Sequence, residues 1–223
     1  VTDTHRPRQF DLVVFDWDGT LFDSTRLIVK CIQAACTDLA VPVPSDADAA
    51  YVIGLGLHDA LKYVVPGLPE ERYPELGQRY RHHYFRSQHE LTLFPGTLAM
   101  LDALKQRHHW LAVATGKTRH GLDEALKTVQ LRGMFDGSRT ADETASKPDP
   151  LMLNELMREF GTEPQRTLMI GDTTHDLQMA ANAGTACIGV GYGAHAHDSF
   201  AEFSPRFVAH SVPELQAWLL QHA

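Results

Sequence analysis

The chain predicts an α/β fold, an open parallel sheet with helices on both faces, interrupted by one all-helical insertion. Three observations predict it. Short apolar runs recur at residues 12–15, 110–114, 167–170 and 186–190, each with the length and branched content of a strand buried on both faces. The runs alternate with polar or glycine-containing turns and amphipathic helical segments, the pattern of repeated strand–loop–helix units. Residues 24–92 break the alternation, with few strand signals and several helical ones.

Each element has its own justification. The first run, Leu12-Val13-Val14-Phe15, ends in Asp16-Trp17-Asp18-Gly19-Thr20. Residues 24–39 follow, with Leu27, Ile28, Cys31, Ile32 and Ala35 at helical spacing and Ser24 placed to cap the helix. Inside the insertion the helical patterns cover residues 45–52, 57–65 and 70–87. The alternation returns after residue 92. Residues 110–114 read as a strand, Thr115-Gly116-Lys117 as a loop and 121–129 as a helix. Residues 150–160 are helical, with Pro150 near the first turn. The strand at 167–170 ends in Gly171-Asp172, and the helix at 175–183 stops at Gly184. Residues 186–190 and 207–209 supply the fourth and fifth strands, and 213–220 a last helix. In such sheets ligands bind beyond the carboxyl ends of the strands. Three of those ends carry Asp16, Thr115 and Asp172.

Composition narrows the function classes. The 223 residues are 43% hydrophobic and 22% charged, near the globular average, which excludes wholesale disorder. Twenty Lys and Arg stand against 28 Asp and Glu, a formal net charge of −8, so a nucleic-acid partner is disfavoured. The insertion has seven basic and eight acidic side chains, and the remainder 13 and 20. The core thus holds nearly all the excess negative charge, which fits a bound cation and equally fits solubility. No apolar run approaches the ~18 residues needed to span a bilayer, so no membrane contact is expected. The polar opening has no apolar h-region, so no secretory signal is expected; it also lacks an initiating Met, so a trimmed start is expected. Cys31, Cys36 and Cys187 cannot all pair, and their spacing suits neither a redox pair nor a zinc site. They are expected as buried or half-buried thiols of a protein in a reducing cytoplasm.

The chemistry concentrates at two acidic motifs. Asp16 and Asp18, separated by one residue at a strand end, can face one pocket while Gly19 lets the chain turn. Like charges this close need either a cation between them or a proton on one of them. Phosphoryl transfer can use both. Asp16 could attack phosphorus, and Asp18 could protonate the leaving oxygen and then deprotonate water. Asp172 and Asp176, in Gly171-Asp172-Thr173-Thr174-His175-Asp176, offer further oxygen ligands, and an all-oxygen set suits magnesium. Thr115 offers a hydroxyl, Gly116 a backbone N–H, and Lys147 a cation just before a helix, as a transferring phosphoryl group requires. Singly, each has a structural explanation: a Thr-Gly is a turn, a lone Lys a solvated side chain, and a Gly-Asp after a strand a helix cap. Their order, each at a strand end, argues for a site.

The segment Phe15-Asp16-Trp17-Asp18-Gly19-Thr20-Leu21 closely resembles the first motif of the haloacid dehalogenase-like superfamily. Thr115, Lys147 and residues 171–176 match its second, third and fourth motifs, so the resemblance spans essentially the whole chain. An insertion between the first two motifs is similar to the helical cap of the subgroup containing phosphoglycolate phosphatases. The resemblance implies a Rossmann-like catalytic core over 1–23 and 93–223, a helical cap over 24–92, magnesium, and an aspartyl-phosphate intermediate. It makes Asp16 nucleophile and metal ligand, and Asp18 the acid/base that binds metal through its carbonyl. Thr115, Gly116 and Lys147 would hold phosphate, Asp172 would complete the metal shell, and Asp176 would sit behind it or act through water. Phosphatases of this subgroup often carry Asn where this chain has Gly116, which weakens a specific phosphoglycolate assignment. Asp18 favours phosphatase or mutase chemistry over cleavage of C–halogen or C–P bonds.

The expected activity is therefore hydrolysis of a small phosphorylated metabolite, phosphoglycolate-like or a sugar phosphate. Alternatives are a phosphosugar mutase of β-phosphoglucomutase type, a pyrophosphatase, and a catalytically silent phosphometabolite-binding protein. The insertion could also support a homodimer. Among weaker signals, Gly54-Leu55-Gly56-Leu57-His58 reads equally as a loop dipping into the site or as an ordinary turn. Residues 189–193 read as a loop near the site. His195 and His197 lack a third metal partner nearby in sequence, and His82, His83, His108 and His109 read as solvated. Arg79, Arg81 and Arg86 read as a solvated helix face from which one could reach a substrate anion.

Overall fold

The computed structural model describes residues 8–128, 131 and 133–223. The first seven residues of the polar opening and Val129, the end of one expected helix, lie outside the described residues. Six strands form one parallel sheet: β1 (Leu12–Phe15), β2 (Trp110–Thr115), β3 (Gly137–Thr140), β4 (Thr167–Gly171), β5 (Ala186–Val190) and β6 (Val208–Ala209), in the order β3-β2-β1-β4-β5-β6. The order reverses at β1. The register pairs Phe15 with Val113 on one side and with Ile170 on the other. That pairing sets the ends of β1, β2 and β4 side by side.

Strand alternation explains both faces. Val13, Phe15, Leu111, Val113, Leu168 and Ile170 pack on one face beneath α5 (Thr97–Gln106) and α9 (Val212–His222). Leu12, Val14, Ala112, Ala114 and Met169 pack on the other beneath α7 (Leu151–Phe160) and α8 (Thr174–Ala183). A parallel sheet covered on both sides must be apolar on both, which is why its strands read as continuous apolar runs. The remaining core helix is α6 (Arg119–Thr128).

Between β1 and α5 the chain builds α1 (Thr25–Asp38), α2 (Asp46–Tyr51), α3 (Leu57–Val64) and α4 (Tyr73–Ser87). These helices have a hydrophobic cluster of their own, including Ile28, Ile32, Val52, Leu61, Leu76 and Tyr84. Ser45 caps α2 by accepting from the Asp48 N–H, as its position predicts.

Four expectations need correcting. The sheet has a sixth strand, β3, whose Gly-Ser-Arg-Thr sequence has no apolar signature. It lies at the sheet edge, where Arg139 pairs with Glu155 and Glu159 of α7 at 2.6 and 2.8 Å. The helix α5 also went unread. Ser24 stands at the N-cap position of α1 without capping it, because its hydroxyl is used elsewhere. His109 is buried rather than solvated, with Nδ1 2.9 Å from the Phe10 carbonyl, and burial pushes its imidazole down to about 4 against that hydrogen bond. The three cysteines are buried and unpaired with one another, and among the described residues no helix is long and apolar enough to cross a membrane.

Leu156 is fully buried between α7 and the sheet. Leu156→Ala is expected to lower unfolding free energy by about 2–5 kcal/mol, read from the midpoint of a urea titration at unchanged slope. A loss well below 1 kcal/mol would contradict the packing described.

Candidate active site

The carboxyl edge of the sheet gathers the acidic motifs. Asp16 continues β1, its backbone N–H donating to the Ile170 carbonyl of β4 at 2.9 Å. Asp172 follows β4 and Asp176 lies in the first turn of α8. All three are fully buried, and one oxygen from each lies within 4.8 Å of the others. Lys147 reaches into this group from the loop before α7. Its Nζ donates to Asp16 Oδ1 and to Asp176 Oδ1, each at 2.6 Å.

The other carboxylate oxygens are accounted for one by one. Asp172 Oδ1 accepts from the Thr20 hydroxyl at 3.0 Å, and Oδ2 from the Ala194 N–H at 2.7 Å. Asp176 Oδ2 accepts from the Thr173 hydroxyl and N–H, closing a capping box at the start of α8. Helix cap and site residue are therefore the same side chain. Asp16 Oδ2 is different: it is buried and has no hydrogen-bond partner among the described residues. Trp17 Nε1, Thr97 Oγ1 and His109 Nε2 share that condition, but Asp16 Oδ2 alone among them is a carboxylate oxygen in an acidic cluster, where an ion or a catalytic role explains it. Gly19, at φ +82°, brings the chain over Asp172 so closely that any side chain there would overlap its carboxylate.

Charge explains the protonation states. Burial opposes the charge of Lys147, but the carboxylates of Asp16 and Asp176 outweigh it and hold the ammonium above its ordinary value. Three carboxylates then face one ammonium. Burial raises the Asp16 carboxyl well above its usual range against the pull of Lys147, and Asp176 and Asp172 add to the rise. Burial and Asp176 likewise push Asp172 up to about 7. A divalent cation would remove this conflict, and an all-oxygen donor set suits a hard one. The residues present thus fit a magnesium ion. Among the described residues, this trio is the single grouping of three or more His, Cys, Asp or Glu so arranged.

Asp18 stands apart from that group. Its Oδ1 accepts from the Ser24 hydroxyl at 2.6 Å, and its Oδ2 lies 3.2 Å from Lys117 Nζ. Lys117 also donates to the Tyr84 hydroxyl at 2.9 Å, and its Nζ sits 4.4 Å from the centre of that ring. Tyr84 belongs to α4, so one ammonium ties the sheet edge to the helical insertion. Thr115 ends β2, buried, with its hydroxyl accepting from the Lys117 N–H at 3.2 Å. Gly116 faces the Gly54 and Leu55 carbonyls so closely that a Cβ would overlap both, and the Gly56 N–H donates to Ser146 at 2.8 Å. The loop at 54–58 therefore dips toward the site. It also leaves no room for the Asn side chain that the family resemblance leads one to expect at position 116.

The structure brings together Asp16, Lys147, Asp172 and Asp176, with Asp18, Thr115 and Gly116 lying at the same sheet edge. The loop at 189–193 is also close, since Tyr192 donates to the Thr20 carbonyl at 3.1 Å. Sequence reasoning missed Ser24, Lys117 and Tyr84. A lysine directly after Thr-Gly was visible; that it would be buried against a tyrosine 33 positions away was not. His195 spends both ring nitrogens on protein groups, accepting from the Thr174 N–H at 3.0 Å and donating to the Tyr51 carbonyl at 2.9 Å.

The fold and this edge define a phosphoryl-handling hydrolase. A family model for haloacid dehalogenase-like hydrolases matches residues 13–190, and the chain belongs to that family. It is an enzyme of the phosphatase type. It is 34% identical over 209 residues to a Dickeya dadantii protein named "Probable phosphatase IndB", covering 92% of this chain and 91% of that one. It is 30% identical to the pyrophosphatase PpaX of Halalkalibacterium halodurans, covering 93% and 95%. A crystal structure described as a predicted phosphoglycolate phosphatase, from Haemophilus somnus, superposes with a TM-score of 0.84 at 26% identity, covering 97% of this chain and 99% of that one.

Asp172 gives a test with a defined sign. Its carboxyl titrates near 3.8 when ordinary and near 7 in the metal-free fold, so the folded form holds the proton longer. Its contribution to stability is full below about 4 and is lost as pH rises to about 7. In metal-free protein, Asp172→Asn should gain on the wild type across that window, by at most about 1.4 kcal/mol per pH unit. Added magnesium should raise the wild-type melting temperature more at pH 8 than at pH 5. A stability gap independent of pH, or a pH-independent magnesium effect, would contradict the assignment.

Proposed function

We propose that the protein is a magnesium-dependent phosphomonoesterase that works through a phosphorylated Asp16, with residues 24–92 acting as a cap over the site. The observation that carries this reading is the buried Asp16 Oδ2, unpartnered while Oδ1 is held by Lys147. One oxygen is fixed and the other is free, which is the condition for an oriented carboxylate nucleophile.

In the first step Asp16 Oδ2 attacks phosphorus. The bond to the ester oxygen breaks, and a proton from Asp18 goes to that oxygen, releasing the alcohol. In the second step water attacks the phosphorus of the acyl phosphate while Asp18 takes its proton. The bond to Asp16 breaks and inorganic phosphate leaves. Ser24 and Lys117 orient Asp18. The Thr115 hydroxyl, the Gly116 N–H and Lys147 stabilise the phosphoryl oxygens as charge moves. Asp16, Asp172 and the Asp18 carbonyl would hold magnesium, with Asp176 behind them. The ion, when bound, supplies positive charge to the phosphoryl group and offsets the acidic cluster. Closure of the helical layer would exclude bulk water during the first transfer.

Some relatives are named pyrophosphatases and others phosphoglycolate phosphatases, so pyrophosphate is a second candidate substrate. Phosphate release from pyrophosphate and from alkyl phosphates, compared on one preparation, separates the two.

Asp16→Asn should abolish magnesium-dependent phosphate release while leaving the circular dichroism spectrum intact. Unchanged release would end the nucleophile assignment. Asp18→Asn should cost about 100-fold or more in kcat/KM with alkyl phosphates and much less with p-nitrophenyl phosphate, whose leaving group hardly needs a proton. Equal losses would rule out the acid role.

A further inference from the structure

A cavity of about 90 Å³ begins at Asp18 and Gly116 and extends into the helical insertion. Its walls are aliphatic and aromatic, with Ile28, Ile32, Val52, Leu57, Tyr80 and Tyr84 among them. Two cations border it. Lys117 is committed, its Nζ shared between Asp18 at 3.2 Å and the Tyr84 hydroxyl at 2.9 Å. Arg81 is exposed and also borders a second groove lined by His58, Asp142 and Ser146. Because Asp18 must reach the ester oxygen, the organic group of a substrate starts beside Asp18, and this cavity is the space that receives it.

We infer that the cavity selects phosphate monoesters of alcohols with an apolar or aromatic body, and disfavours short doubly anionic compounds such as phosphoglycolate and pyrophosphate. The inference rests on the phosphatase reading above and deepens it. An apolar group leaving water for these walls is favoured in proportion to the area it buries. A carboxylate or second phosphate in the same place loses its hydration. The nearer cation, Lys117, already spends its Nζ on Asp18 and the Tyr84 hydroxyl, so the loss is poorly repaid. The chemistry is that of the two steps above: the P–O bond to the alcohol breaks, Asp18 supplies its proton, and the alcohol departs through the cavity.

The test compares kcat/KM for ethyl phosphate, benzyl phosphate and phosphoglycolate on the full chain with magnesium. All three release an alkyl oxygen, so their intrinsic reactivities are comparable and the ratios report the cavity. Benzyl phosphate should exceed ethyl phosphate by about tenfold, and phosphoglycolate should fall below both. Leu57→Asn, at a half-buried wall position, should cut the benzyl-to-ethyl ratio at least about threefold, with Leu57→Ala as the alternative if the Asn variant does not fold. Both substrates are read on one preparation, so a partly unfolded sample does not change the ratio. A benzyl-to-ethyl ratio below about three overturns the inference while leaving the phosphatase reading intact. So does a preference for phosphoglycolate, and its loss in Arg81→Met would show that the guanidinium sets specificity instead. If none of the three releases phosphate above the Asp16→Asn background, the phosphatase reading falls and this inference with it.

Discussion

Lys147 between Asp16 and Asp176 is the contact on which the rest of the site depends. A fully buried lysine is costly, and it is held here because two carboxylates meet it at 2.6 Å. The same contact aligns Asp16, fixes the first turn of α8, and joins the loop before α7 to the ends of β1 and β4. Its charge is insufficient for the three acids around it. Burial, together with the mutual repulsion that one ammonium does not cancel, raises Asp16 and Asp172, and a cation in the cluster would offset both. Structure, electrostatics and proposed chemistry thus share one arrangement of charge at the topological switch of the sheet.

A second set of contacts links the sheet edge to the helical insertion. Ser24, the residue before α1, gives its hydroxyl to Asp18 rather than to the helix. Lys117 spans from Asp18 to Tyr84 of α4, and the Gly54 and Leu55 carbonyls lie against Gly116. Each contact sacrifices something local: a helix cap, a solvated lysine, a side chain at position 116. Rules of local preference are expected to fail where function imposes its own geometry, and here they fail together around Asp18.

Much of this was legible in the sequence. Strands buried on both faces announce themselves as apolar runs, and four such strands were readable within a residue or so. The gathering of residues 16, 18, 115, 147, 172 and 176 at one edge of the sheet was legible because Asp16, Asp18, Thr115 and Asp172 stand at or just past strand ends, Lys147 before a helix and Asp176 in a helix's first turn. The polar edge strand β3 was not, since it has no apolar residue to mark it and is held by backbone pairing to β2 and by Arg139 reaching α7. His109 was not, because its neighbours in sequence are polar and its burial is set by Phe10, 99 positions away. Lys117 and Tyr84 meet across the gap between two layers, and no spacing rule connects them. The cavity's apolar character likewise comes from α1, α3, α4 and the segment 52–55, whose inward faces cannot be combined without the fold.

The central claim is that phosphorus is carried briefly on Asp16, with a divalent ion beside it. The most direct measurement is acid quench of the Asp18→Asn variant during turnover of p-nitrophenyl phosphate, followed by mapping of the phosphorylated residue by mass spectrometry. The account predicts phosphate on Asp16, present with magnesium and absent when the metal is chelated. Phosphate on another residue, or single turnovers that release product with no phosphorylated protein formed, would contradict it.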